Sequence, residues 1–179
     1  MKNHKVCIDS NALSYLVDAM TSGIKPTGNE ADEKLALLHA YLYRNDILYI
    51  SPTVRIEYER IRDEKKRINH QEVADILLGE ILLSDNDIVQ SKTLEYCKFH
   101  LGKNNEKDCR ILAEAELGGC KIILTYDQDF IKKLHDKTHG IRIMKPSDFW
   151  HSLDIPKKSR PVTVPHHTNP LSKETWWTW

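Results

Sequence analysis

The sequence predicts an α/β fold with a parallel sheet. Short apolar runs rich in β-branched residues alternate with amphipathic helical stretches. Two of those runs end almost directly on an aspartate, as strands do where they deliver side chains to a site beyond the sheet. Residues 105–130, NEKDCRILAEAELGGCKIILTYDQDF, read as a helix, a tight turn, a buried strand and a loop with two aspartates, which is half of a parallel α/β unit.

In chain order, residues 5–8 form a strand that ends on Asp9, and a helix follows with Leu13, Leu16 and Val17 on its buried face. Asp9 is also a good helix N-cap, as are Ser10 and Asn11. Residues 21–29, with two glycines and a proline, form a loop. Residues 30–44 form a helix with Leu35, Leu38, Ala40, Leu42 and Tyr43 over a wide apolar face, and 47–50 the second strand. Ser51-Pro52 opens the next helix, with proline in its first turn and Glu57 in its second. Arg60, Arg62, Lys65, Lys66 and Arg67 alternate with acids and read as a solvated face; the alternative is an edge that contacts phosphates. Residues 69–83 read as one helix with Val73, Ile76, Leu77, Ile81 and Leu82 as its stripe, 87–89 as a short strand, 93–101 as a helix and 102–104 as a turn. In the central stretch, Asn105 caps a helix carrying Ile111, Leu112 and Ala115, Gly118-Gly119 stops it, and residues 120–124 are a strand covered on both faces. A short helix over 130–134, a last strand over 141–144 and a closing helical turn over 146–150 follow.

At 179 residues the chain is long enough for one domain with a real core. Lys plus Arg and Asp plus Glu both number 26, so overall charge does not announce a nucleic-acid partner, although local patches can still bind one. The four cysteines, Cys7, Cys97, Cys109 and Cys120, are scattered, form no CxxC pair and suit a reducing compartment. No stretch is long and apolar enough to span a bilayer and no secretory signal opens the sequence, so a cytoplasmic protein with no membrane partner is expected.

The acids carry the chemistry. Asp9 and Asp127 lie at strand ends, Glu57 and Asp108 near helix starts, and Asp129 on the loop of Asp127. Parallel strands would bring all of them to one sheet edge. Carboxylates so clustered resist ionising unless a cation joins them, and Mg²⁺ or Mn²⁺ is the natural partner for an all-oxygen set. Such a site activates water and stabilises in-line attack on a phosphodiester. Taken singly, each acid is explained as well by helix capping or surface solvation; the joint spacing favours a site.

These residues resemble the PIN-domain metal-dependent ribonucleases, especially the VapC-like toxins. The resemblance rests on Ile8-Asp9-Ser10-Asn11, on Ser51-Pro52 with Glu57, on Asp108-Cys109-Arg110-Ile111-Leu112-Ala113-Glu114-Ala115, and on Thr125-Tyr126-Asp127-Gln128-Asp129-Phe130. It covers about residues 4–150 and fills all four acidic positions of the family pattern. It implies a three-layer sandwich with a five-stranded parallel sheet in the order 3-2-1-4-5 and helices on both faces. It implies an endoribonuclease with Asp9, Glu57, Asp108 and Asp127 as catalytic acids. Asp9, Asp108, Asp127 and Asp129 would hold Mg²⁺ or Mn²⁺, with Ser10, Asn11 and Thr125 in support. The partners implied are an RNA substrate and a cognate antitoxin. Alternatives are an RNA-processing nuclease without an antitoxin, a non-catalytic PIN-fold binding module, and phosphatase or DNA nuclease chemistry at the same site.

Composition changes after Trp150. Residues 155–179 hold four of the seven prolines, few aliphatics, and Trp176-Trp177-Thr178-Trp179. Residues 1–150 are expected to form the nuclease-like domain, and 151–179 an extended Pro/Trp-rich arm that the family's small toxins lack. The arm is either a loose tail or docks its tryptophans on this domain, on a second copy in a homodimer, or on a partner protein.

Overall fold

The computed structural model describes residues 4–44, 47–100 and 105–179. Its frame is a five-stranded parallel sheet in the order β3-β2-β1-β4-β5, built from β1 (Val6–Ile8), β2 (Leu48–Ile50), β3 (Gly79–Glu80), β4 (Ile122–Leu124) and β5 (Arg142–Met144). Successive residues of a strand point to opposite faces. Val6, Cys7 and Ile8 are all buried, as are Ile122, Ile123 and Leu124, so helices cover the sheet on both sides.

Those helices are α1 (Ser10–Ser22), α2 (Ala31–Tyr43), α3 (Pro52–Glu59), α4 (Glu64–Leu77), α5 (Asn86–Cys97), α6 (Glu106–Leu117), α7 (Gln128–Leu134) and α8 (Pro146–Ser152). Their starts follow the caps in the sequence: Asp9, Ser51, Asp63, Asp85 and Asp127 each accept a backbone amide of the first turn. None of the helices among the described residues is long and apolar enough to cross a membrane.

The third strand differs from expectation. It is Gly79–Glu80, not residues 87–89, which lie inside α5. Asp85 decides this, because its carboxylate accepts from the amides of Asp87 and Ile88 and starts a helix there. The helix expected over 69–83 therefore ends at Leu77. Ile81 is buried in the sheet's extension, where its amide donates to Ile50, while Ile76 and Leu82 are 77% and 87% exposed and form no stripe. Glycine at position 79 is required by packing, since a Cβ there would stand 2.6 Å from the Tyr49 ring. The helix expected over 93–101 is the latter part of α5, which ends at Cys97, and Leu101 and the turn expected over 102–104 lie outside the described residues.

Beyond α8 the chain folds back on the domain. The amides of Val162 and Thr163 both donate to Leu42 O and so satisfy the last turn of α2. A 3-10 turn, Pro170–Lys173, packs against α1, and Leu171 is fully buried. Trp177 is buried and Trp179 packs edge-on against Trp150, with ring centroids 5.2 Å apart. The indole N–H groups of Trp176, Trp177 and Trp179 donate to Gly23 O, Leu171 O and Ile155 O. Of the seats considered for these tryptophans, the structure shows a groove of this domain.

Candidate active site

The strand register builds the site. Ile8 pairs with Leu124, so Asp9 and Thr125 lie just past the carboxyl ends of neighbouring strands. β1 has β2 on one side and β4 on the other, so the connections leave it in opposite directions and open a crevice there.

Asp9 caps α1, its Oδ1 accepting from the Ala12 amide at 2.7 Å, and is only 6% exposed. Burial raises its pKa to about 6; the Thr125 hydroxyl and Ala12 amide oppose the rise, and Asp108 and Asp127 add to it. Asp9 is thus both the helix cap and a perturbed carboxylate in a crevice. On α3, Glu57 accepts a hydrogen bond from the Ser10 hydroxyl and pairs with the Lys107 ammonium at 2.9 Å. Asp108 stands in the first turn of α6, 3.5 Å from Nε2 of the buried His100. Burial raises the pKa of Asp108; His100 opposes this, while Asp127 and Glu57 reinforce it. Asp127 caps α7, its Oδ1 accepting from the amides of Asp129 and Phe130 at 2.8 and 3.0 Å. Its own amide donates to Thr125 Oγ1 at 3.0 Å.

Asp9, Glu57, Asp108 and Asp127 together line one cavity of about 710 Å³, with Ser10 and Asn11 on its wall. Thr125 is fully buried and acts on the cavity through Asp9 and Asp127. Asp129 is not in the lining; it is exposed and pairs with Lys133 at 3.4 Å.

Several residues of the site had no signal in the sequence reading. Lys107 neutralises Glu57 from the position next to Asp108. His100 backs Asp108 and stacks on Phe130. Ser14, Tyr58 and His70 line the cavity on the α1 and α4 side. Glu114, buried in α6, accepts from the amide and hydroxyl of Thr53 at 2.9 and 2.8 Å and so fixes the start of α3. An acid at i+6 from Asp108 was the available hint for Glu114; the Lys107–Glu57 and Ser14–His70 contacts join residues far apart in the chain.

The acids of the cavity are hard oxygen donors; burial chiefly raises Asp9 and Asp108, neighbouring carboxylates add to the rise, and a divalent cation would relieve both. The donor set therefore fits Mg²⁺ or Mn²⁺ in kind. As the side chains stand, no three acids, histidines or cysteines among the described residues are grouped closely enough to hold an ion, and Glu57 is engaged by Ser10 and Lys107.

Comparison with known proteins agrees with this geometry. No curated protein matches the chain. Among solved structures, it resembles FitAcB from Neisseria gonorrhoeae at 17% identity and a TM-score of 0.47, covering 79% of this chain and 97% of that one. It resembles VapBC2 from Rickettsia felis, bound to a DNA fragment from their promoter, at 14% identity and a TM-score of 0.49, covering 78% and 96%. Residues 6–134, which hold β1 through α7 and every acid of the cavity, match the PIN domain, and the chain belongs to the PIN domain family.

Proposed function

We propose that the protein is a metal-dependent endoribonuclease that hydrolyses RNA phosphodiester bonds, and that it is the VapC-like toxin of a toxin–antitoxin pair. PIN domains are generally nucleases. The observation that carries the proposal is the convergence of Asp9, Glu57, Asp108 and Asp127 on one cavity at the carboxyl edge of the sheet. Asp9, Asp108 and Asp127 would hold Mg²⁺ or Mn²⁺, with Asp129 an outer ligand from the rim. The bound ion would supply charge neutralisation and Lewis acidity at the scissile phosphate. Glu57, which accepts from Ser10, would orient a water, and Asn11 on the cavity wall would bind the strand. Thr125 holds Asp9 and the Asp127 backbone in place.

The basic run supports an RNA path. Arg60, Arg62, Lys65 and Lys66 are exposed on the stretch between Tyr58 and His70, both of which line the cavity. Phosphates flanking the scissile one would meet those cations. The antitoxin is proposed from the family resemblance.

The test is cleavage of single-stranded RNA against a matched DNA, with Mg²⁺ or Mn²⁺ and with excess chelator. RNA cleavage that stops in chelator is expected. Cleavage that persists in chelator, or a preference for DNA, overturns the reading. A second reading, a non-catalytic binding module, is favoured by the Lys107–Glu57 pair, which already neutralises one acid. It predicts RNA or protein binding with no cleavage under any metal.

A further inference from the structure

Beside the acids, the cavity holds a polar pair that the proposed chemistry does not use. Ser14 and His70 both line it. Ser14 Oγ lies 3.0 Å from His70 Nε2, and His70 Nδ1 lies 2.8 Å from the carbonyl oxygen of Lys66. A carbonyl only accepts, so Nδ1 must carry the proton. His70 is 1% exposed and burial holds its pKa below the usual value, so the ring is neutral near pH 7 and Nε2 is bare. The Ser14 hydroxyl must then donate to Nε2. Its oxygen is left with lone pairs and no proton for the cavity.

This makes Ser14 an acceptor, so the ligand group that meets it must be a donor. Ser14 is one helical turn after Ser10, so both lie on the same face of α1, about 5–6 Å apart at Cβ. Ser10 bonds Glu57, so the acceptor lies one helical turn from a residue that touches the acids. A second atom points the same way. Tyr58 lines the cavity beside His70, and its hydroxyl is buried with no hydrogen-bond partner among the described residues. A ligand that both donates and accepts would satisfy Ser14 and Tyr58 together. The ribose 2′-hydroxyl does both, and it is the group that distinguishes RNA from DNA.

We propose that Ser14, fixed as an acceptor by His70, contacts the ribose 2′-hydroxyl in the cavity and makes the site select RNA over DNA. The inference rests on reading the cavity as a site for a nucleic-acid strand. A purely structural role, tying α1 to α4, would affect stability and leave the sugar preference unchanged.

The test compares a single-stranded RNA with its all-2′-deoxy counterpart, using wild type, Ser14→Ala, Ser14→Thr and Tyr58→Phe. Binding is read by fluorescence anisotropy with Ca²⁺, and cleavage by single-turnover rates with Mn²⁺. Wild type should prefer RNA. Ser14→Ala should weaken RNA binding about ten-fold, the loss of one hydrogen bond, and shift DNA binding less than about two-fold. Ser14→Thr, which keeps the hydroxyl, should retain the preference, and Tyr58→Phe should reduce it. If Ser14→Ala keeps the wild-type ratio while RNA is still cut, the inference fails and the nuclease reading stands. If RNA is bound but never cut, and Ser14→Ala loses the preference, the nuclease reading fails and the inference stands. Equal binding of both strands by wild type, or binding of neither, overturns the inference.

Discussion

The Lys107 ammonium lies 2.9 Å from a carboxylate oxygen of Glu57, one residue before Asp108 on the same helix. A cation of the protein's own thus sits where a cluster of acids would otherwise repel. A divalent ion entering the cavity must compete with it for the carboxylate charge. Lys107 is exposed, so solvent screens the pair and its removal alters the balance only modestly. Lys107→Ala should bind Mn²⁺ about two- to five-fold more tightly by calorimetry or electron paramagnetic resonance. Unchanged or weaker Mn²⁺ binding would show that Lys107 is no competitor.

Asp9 makes stability depend on pH. Its folded pKa, about 6, exceeds the unfolded value near 3.8. Ionising it in the fold therefore costs stability, from nothing below the unfolded pKa to the full amount above the folded one. At about 1.4 kcal/mol per pH unit the cost is roughly 3 kcal/mol, an upper figure that any bound cation reduces. Metal-free protein should unfold at a higher temperature near pH 4.5 than near pH 7. Asp9→Asn should lose most of that difference, which assigns the difference to Asp9 rather than to another group. Identical pH profiles for the two proteins would remove Asp9 as the cause.

The legibility of the fold varied by element. β1, β2 and β4 were plain because central parallel strands are continuous apolar runs, and their caps and acids follow immediately. β3 was not, because it has two residues, one a glycine chosen to clear the Tyr49 ring. Asp87-Ile88-Val89 has strand-like composition, but the Asp85 cap overrides that local preference. The acids of the cavity were legible because each stands at the end of an element. Lys107, Ser14, His70 and His100 were not, because their roles arise from contacts across 50, 56, 56 and 8 residues of chain.

The segment after α8 should be part of the stability of the whole fold. Trp177 is 7% exposed and Leu171 fully buried. Trp177→Ala should destabilise by about 3 kcal/mol in denaturant titration, the usual cost of emptying a tryptophan site. Tryptophan emission should be blue-shifted in the protein alone. A Trp177→Ala change within 0.5 kcal/mol, taken as the roughly neutral range for surface positions, together with fully red-shifted emission, would show that the segment is undocked in solution.

Gly118 is set by close approach. A Cβ there would stand 2.2 Å from the Ile81 γ2 methyl, where α6 ends against the strand extension after β3. Gly118→Ala should cost about 1–3 kcal/mol by overpacking, and the companion Ile81→Ala, which removes the γ2 methyl, should make that cost smaller. Additive losses in the double variant would contradict the contact.

The most direct measurement of the central claim is the rate at which one defined RNA is cut, with saturating Mn²⁺, by wild type and by Asp9→Asn, Glu57→Gln, Asp108→Asn and Asp127→Asn. Each substitution removes a carboxylate from the shared cavity. Each should lower the rate by at least about 100-fold while leaving the fold intact by circular dichroism. Wild-type rates in these variants would contradict a hydrolytic site built from the four acids.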